Sequence, residues 1–558
     1  MLQNNRVLIG KGEHELYLMG DKVNRHGLIA GATGTGKTVT LKVLAEGLSD
    51  MGVPVFLADV KGDVSSMCLA GEKSEKIVSR LNSMGIDPDS FNPKSYPCRF
   101  WDVFGTGGVP VRAKVSDVGP VIISRLLGLT EVQTGVLNIV FHVADDLGWQ
   151  LIDYKDLKAM LMYIAEHRAE LTTAYGNVTS QSIGAIQRAL LTLEDEGAEQ
   201  FFGEPDLDIN DWFRQTEDGR GYVNILHCVE LAQRPTLYAA FMLWMLGELY
   251  EKLPEVGDLD KPKFVFFFDE AHMLFNDAPK SMVDKVTQVV KLIRSKGVGI
   301  YFITQSPSDI PNEVLAQLNN RILHALRAYT PAEQKAIRAA AQGFRPNPAF
   351  KTEDAIAELG TGEALVSMLG EDGAPCIVEK ATICPPQSSF TALENAARAM
   401  LVAQDPAYQA YKDAVDNLSA YEYITDEMAA EQEKAAAEQA EKEQAAAARQ
   451  AEKEAKAAEK AAAAAAREEA RAAREQEKAL QEQYKAEGRD KYGRTKMQAS
   501  LEKAAKSAVK SESRSIGRKM GKSITRGILG NSNNAAGRLV GNAAGSLMSD
   551  LIGGFFKR

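Results

Sequence analysis

Gly31, Ala32, Thr33, Gly34, Thr35, Gly36, Lys37 and Thr38 match in full the spacing G-x-x-x-x-G-K-[ST]. That spacing folds backbone N–H groups around phosphate oxygens, and its glycines permit the close approach. Lys37 carries a positive charge to the β- and γ-phosphates of a nucleotide, and the Thr38 hydroxyl is placed to ligate Mg2+. Val39 continues the nucleotide-contacting set into the next element. ATP and Mg2+ are therefore the implied cofactors. The apolar run Gly27–Ala30 reads as a buried strand before the loop. Residues 39–48 read as a helix whose N-terminus faces the phosphates.

A second set completes a hydrolytic site. Phe264–Phe268 is an apolar strand that ends in Asp269 and Glu270. Asp269 is placed to hold Mg2+ through water, and Glu270 to polarise an attacking water. Gln305 stands at the end of another apolar run, where an amide can touch the γ-phosphate and report hydrolysis. Together they make an ATP-hydrolysing site of the additional-strand type. Asp59 and Lys61, in the run Asp59-Val60-Lys61-Gly62-Asp63, lie near the nucleotide or a nucleic-acid channel, or form a simple turn with Gly62 at positive φ. Phosphoryl transfer also needs a cation beyond the γ-phosphate, which a neighbouring subunit often supplies as arginine. Arg294, Arg321 and Arg327 are candidates, with Arg321 and Arg327 favoured.

These residues need a scaffold. Strand-like runs recur at 53–60, 222–229, 264–268, 299–304, 322–326 and 364–368, with helical segments at 235–252, 281–295 and 331–341 between them. Alternation of this kind predicts an α/β fold, a mostly parallel sheet with helices on both faces. The core falls in two parts, 1–112 and 216–400. Residues 113–215 interrupt it with helical periodicity at 118–127, 132–147 and 156–167, read as a helical insertion of unassigned role.

Beyond the core, composition shifts sharply. Residues 425–487 are almost wholly Ala, Glu, Lys, Gln and Arg, which are strong helix formers, with Glu/Lys pairs at i,i+4. Large apolar residues are too sparse for a coiled-coil seam, so a long solvated helix is favoured over a weak alanine-rich coiled coil. Residues 488–558 form a basic, glycine-rich tail; from 511 onward it carries eight Lys/Arg against Glu512 and Asp550. A flexible tail, a docking segment for a protein partner and a membrane-surface segment all fit it.

The 558 residues carry a formal net charge of −10, which excludes a globally basic nucleic-acid binder but not a local basic strip in a pore. No apolar run reaches the roughly 18–20 residues of a spanning helix, and the start lacks a signal-peptide pattern, so a cytoplasmic protein is expected. Five scattered cysteines without C-x-x-C spacing point to reduced thiols rather than zinc.

Glu270, Ala271 and His272 complete the tetrapeptide DEAH, a label of superfamily 2 helicases. Yet Asp269 lies 232 residues after Lys37, no S-A-T follows, and no Q-R-x-G-R-x-G-R appears. The order GxTGxGKT, D-x-K-G-D, long insertion, hydrophobic strand with DEAH, then h-T-Q-S-P resembles instead the HerA/FtsK ATPases over residues 1 to about 400. Residues 24–30, 54–63 and 253–272 resemble more narrowly a bacterial family of HerA-like ATPases of unassigned role. The resemblance implies a RecA-like P-loop NTPase core and a hexameric ring, with Lys37 and Thr38 in the phosphate-loop roles. It also implies Asp269 as metal ligand, Glu270 as base and Gln305 as sensor. HerA relatives translocate double-stranded DNA. HerA proper carries an N-terminal β-barrel, for which the 25 residues before His26 are too short, so its nuclease partnering is not expected here. A ring-type DNA motor is the leading expectation. An ATP-driven switch acting on a protein partner through the C-terminal segments is the alternative, and a superfamily 2 helicase a distant third.

Overall fold

The computed structural model describes residues 2–275, 280–495 and 498–499. The chain divides into two compact units, residues 1–432 and 433–558.

The first unit is built on one sheet of thirteen strands. In chain order these are β1 (Leu2–Gln3), β2 (Arg6–Lys11), β3 (Glu15–Met19), β4 (Gly27–Ala30), β5 (Val55–Asp59), β6 (Cys98–Asp102) and β7 (Val109–Pro110). They continue with β8 (Val223–His227), β9 (Phe264–Phe268), β10 (Val298–Thr304), β11 (Asn320–His324), β12 (Glu363–Ser367) and β13 (Glu379–Ile383). The spatial order is β1-β2-β13-β12-β11-β4-β10-β9-β5-β8-β6-β7, with β3 on β2. From β11 to β7 every pairing is parallel; from β12 to β1 every pairing is antiparallel.

The central parallel strands are buried on both faces, and their sequences show it. All five residues of β9 are buried, as are all seven of β10 and all five of β5. Such strands read as continuous apolar runs rather than alternation. The aromatic rings of β9 pack across the sheet: Phe266 stacks on Phe56, and Phe268 on Phe302. Strand β11 begins two residues before the apolar run at 322–326, because Asn320 and Arg321 pair in register with Gly27 and Leu28. The antiparallel edge was not read from sequence. Strands β1, β2 and β3 pair locally as antiparallel hairpins, whereas β13 reaches β2 from the far end of the core, Thr382 pairing with Lys11 and Ile383 with Gly10.

Helices α1 (Lys37–Asp50) and α2 (Glu75–Ser83) follow the first core strands. Between β7 and β8 come α3 (Val115–Leu126), α4 (Glu131–Leu147), α5 (Tyr154–Glu166), α6 (Arg168–Tyr175), α7 (Ser180–Asp195) and α8 (Ala198–Phe201). Their starts carry clear signals: Thr130 with Gln133 and Asp153 with Asp156 form capping boxes. Helix α9 (Pro235–Lys252) is apolar nearly all round, which suits a helix with neighbours on most sides. It packs against α3, and its Phe241 and Trp244 meet Phe201 of α8. Helix α10 (Lys280–Leu292) precedes β10; α11 (Asn312–Leu315) precedes β11; α12 (Pro331–Gln342) and α13 (Thr352–Glu358) precede β12.

After β13 the chain returns across the core. Buried Glu46 of α1 accepts hydrogen bonds from Gln387 N (2.7 Å) and Ser388 N (3.0 Å). Buried Lys42 donates to Ser66 Oγ and to the Ser389 carbonyl. Helices α14 (Asn395–Gln404) and α15 (Pro406–Tyr411) follow, and Asp405 between them pairs with buried Arg99 of β6.

Helix α16 (Ala420–Ala486) starts on the first unit, where Asp156 accepts from Ser419 Oγ and Tyr421 N. In the second unit its described side chains are exposed almost without exception. Lys456–Glu452 and Arg471–Glu475 pair at i,i+4 on its surface. Residues 500–558, most of the basic glycine-rich tail, lie outside the described residues. None of the described helices is long and apolar enough to cross a membrane. All five cysteines are free; Cys228 and Cys384 are buried.

Candidate nucleotide site

Strand β4 ends at Ala30, and the loop Gly31–Thr38 turns directly into α1. Gly34 and Gly36 adopt φ of 77° and 117°, a region L side chains rarely enter. Gly31 is required by close approach: a Cβ there would lie 2.5 Å from His324 Cβ. Thr33 and Gly34 form the exposed crest, whereas Thr35 is buried and donates to the Ala32 carbonyl. Ala32, Gly36, Thr38 and Val39 are partly exposed along the loop and the first turn of α1. The orphan N–H groups of that turn and the helix dipole favour an anion here.

Lys37 folds back over the loop and donates to the carbonyls of Gly31 (2.6 Å) and Ala32 (3.1 Å). Burial and the nearby Lys61 ammonium lower its pKa. A buried ammonium held by carbonyls alone is short of negative charge, which a nucleotide phosphate supplies.

His324, at the end of β11, supports the loop from below. Its Nδ1 faces the Glu363 carbonyl (2.9 Å), which can only accept, so Nδ1 carries the proton and Nε2 accepts from Thr40 Oγ1 (2.8 Å). Burial holds its pKa down at about 4, so the ring is neutral. Nothing in the local sequence marks this histidine, since its loop and helix partners come from residues nearly three hundred positions earlier.

The carboxylates converge from β5 and β9, neighbours in the sheet. Asp59 is buried; its Oδ1 accepts from Gly62 N (2.8 Å) and Asp63 N (3.1 Å), and its Oδ2 has no partner. Burial, with Asp63 and Asp269 nearby, raises its pKa to about 7. Asp269 is raised to about 6 by burial and by Glu270. Thr38 Oγ1 donates to Asp63 Oδ2 (3.0 Å), so the hydroxyl that sequence paired with Asp269 faces a further carboxylate. Among the described residues no group of three or more His, Cys, Asp or Glu is arranged to hold a metal by itself. The residues fit a cation that takes its remaining ligands from phosphate and water: hard oxygen donors, an unpaired buried oxygen and carboxylates short of positive charge.

Glu270 follows β9 at φ 48°, ψ 49°, a left-handed conformation uncommon for a non-glycine residue. Lys61 Nζ lies 2.5 Å from its Oε1, while Oε2 receives Gln305 Nε2 (3.3 Å) and lies 3.2 Å from His272 Nδ1. Burial pushes the Glu270 pKa up, but Lys61, Gln305 and His272 outweigh it and leave the pKa lowered, so the group is a carboxylate at neutral pH. Gln305 reaches it because β10 runs between β4 and β9.

The arginines stand elsewhere. Arg321 gives its guanidinium to the carbonyls of Leu318, Gly343 and Leu315. Arg327 is exposed and donates to the Ala357 carbonyl. Arg294 lies 3.8 Å from Asp258. None of these bonds reaches the loop or Glu270.

A phosphate loop after one strand, an acidic pair after another, and an inserted strand bearing a polar amide define a RecA-like P-loop NTPase core of the additional-strand type. The model of the helicase HerA-like C-terminal family matches residues 4–477, and the chain belongs to that family. It is 20% identical over 362 residues to the DNA double-strand break repair helicase HerA of Saccharolobus solfataricus, covering 64% of each protein. It is 23% identical over 385 residues to a probable helicase of Methanocaldococcus jannaschii, covering 66% of this chain and 64% of that one. The chain thus spans less than two thirds of these relatives. Among solved structures, unbound TrwBdeltaN70, a bacterial conjugative coupling protein, aligns with a TM-score of 0.44 and 15% identity, over 70% of this chain and 93% of that one. The plasmid coupling protein TrwB in complex with ADP and Mg2+ gives 0.43 and 17%, over 67% and 88%. VirB4 of Thermoanaerobacter pseudethanolicus gives 0.42 and 15%, over 69% and 97%.

Proposed function

We propose that this chain hydrolyses ATP and couples hydrolysis to movement along duplex DNA as a homo-oligomeric ring, a hexamer in its simplest form. The observation that carries the hydrolytic part is the meeting of Glu270 and Gln305, from β9 and β10, beside the strand that bears the phosphate loop. The loop from Gly31 to Val39 holds the phosphates, and Lys37 leaves its carbonyl partners for the β- and γ-oxygens. Glu270 accepts a proton from the attacking water, which bonds to the γ-phosphorus as the bridging bond to the β-phosphate breaks. Gln305, bonded to Glu270, senses whether the γ-phosphate is present. Thr38 and Asp269, with Asp63 close by, would hold Mg2+, which would neutralise phosphate charge.

The trans cation is assigned to Arg327 before Arg321. Arg327 is exposed and holds one carbonyl, whereas Arg321 is committed to three. Family membership and the similarity to HerA support the DNA reading. With no base-reading motif, contacts go to phosphates and weaken steeply with salt.

ATP turnover measured with and without duplex DNA at low salt, beside the mass of the protein with ATP, tests the reading. Stimulation by DNA and a ring-sized mass support it. Unstimulated turnover by a monomer points instead to an ATP-driven switch, for which the exposed, charged α16 offers a surface to a protein partner.

A further inference from the structure

A second cavity opens at the carboxyl edge of the same sheet, on the far side of β5 from the phosphate loop. It measures about 350 Å³ and is lined by Gly105, Thr106, Gly107, Gly108, His227 and Arg398. Crevices at this edge of parallel sheets are where such folds bind ligands.

Arg398, on α14, is 6% exposed. No carboxylate lies within ion-pair distance of it among the described residues. Its Nη1 donates to His227 Nδ1 (3.1 Å) and its Nη2 to Ser65 Oγ (3.4 Å), while Nε is buried with no partner. A buried guanidinium facing only neutral groups is costly unless an anion joins it. The carboxylate of Asp102 accepts from Phe104 N, Thr106 Oγ1 and Gly107 N and acts on His227, but it makes no ion pair with Arg398. His227, depressed by burial and by Arg398, is neutral and offers Arg398 an acceptor rather than a counter-charge. Gly107 keeps the wall thin: a Cβ there would stand 2.3 Å from His227 Cδ2. The surroundings supply a guanidinium with no ion-pair partner among the described residues and a glycine-lined wall.

We propose that this cavity is a second oxyanion site, distinct from the phosphate loop, in which Arg398 braced by His227 and Ser65 holds a phosphate group. Ser65 follows Asp63 by two residues, so an occupant here would bear on the turn that carries Lys61 and Asp63.

The test uses full-length Lys37→Ala, which weakens the first phosphate site, and the double variant Lys37→Ala/Arg398→Gln. Inorganic phosphate, against chloride at matched ionic strength, raises the Tm of the single variant, and the rise disappears in the double variant. An equal rise in both overturns the proposal. Selenate soaked into crystals of Lys37→Ala needs no change at Arg398: anomalous density within hydrogen-bond distance of the guanidinium supports the site, and an empty cavity overturns it. Binding of labelled duplex DNA separates the sources. Affinity lost only in the double variant assigns a nucleic-acid phosphate, and unchanged affinity assigns free phosphate. Because neither Tm nor density depends on turnover, failure here is distinguishable from failure of the ATPase reading.

Discussion

Lys61 Nζ sits 2.5 Å from Glu270 Oε1, so the proposed base is neutralised by a lysine from the turn after β5. Lys61 is about two-fifths exposed while the Glu270 side chain is buried, so the cation can swing out more easily than the base can move. Lys61→Met removes a charge that holds the Glu270 pKa down. The base must be ionised to act, so the acid limb of the kcat–pH profile shifts to higher pH. Steady-state rates across pH 4 to 8 check this, and an unmoved limb contradicts the pairing.

Lys37→Ala removes the charge that meets the β/γ-phosphates. ATP affinity falls on the order of 10²-fold, as loss of a charge-assisted contact worth roughly 2–3 kcal/mol requires. Equilibrium titration with a fluorescent nucleotide reads it.

Asp59 titrates at about 7 when folded against 3.8 ordinarily. A raised carboxyl contributes stability that is present at low pH and lost as pH rises through the folded value. Asp59→Asn, neutral throughout, is therefore more stable than the parent at pH 8; that advantage shrinks by on the order of 2–3 kcal/mol on going to pH 5 and is gone only below the ordinary value of 3.8. Denaturant unfolding at both pH values, without Mg2+ or nucleotide, measures the difference.

The opposite sign holds for His324, whose folded pKa of about 4 lies below the ordinary 6.5. Its contribution is present above 6.5 and lost as pH falls through 4, because the unfolded chain takes up the proton first. The stability advantage of the parent over His324→Gln shrinks by about 3 kcal/mol over that window. Thermal unfolding of both proteins at matched pH checks it.

What the sequence disclosed was whatever its local pattern encodes. Glycine spacing marks Gly31–Thr38, and continuous apolar runs mark β5, β9 and β10 because both faces of those strands are covered. Asp269, Glu270 and Gln305 were legible because each stands where such a run stops. The contacts that tune these groups are not local. Lys61 reaches Glu270, Thr38 reaches Asp63, and His324 props the loop only once β11, β4, β10, β9 and β5 lie side by side. That order is set by long-range pairing, as is the joining of β13 to β2. Arg398 was invisible for the same reason, since its environment is assembled from four separate stretches of chain. Arg321 shows the converse: a residue picked for its place at a strand end, whose bonds all go to nearby carbonyls.

The central claim is that Glu270 is the base of an ATP-hydrolysing site, and Glu270→Gln tests it most directly. The amide keeps the shape, while Lys37, Thr38 and the phosphate loop stay intact. ATP hydrolysis and ATP binding measured on the same preparation should show turnover reduced by about 10²-fold or more with affinity retained. Turnover at the parent rate would contradict the account.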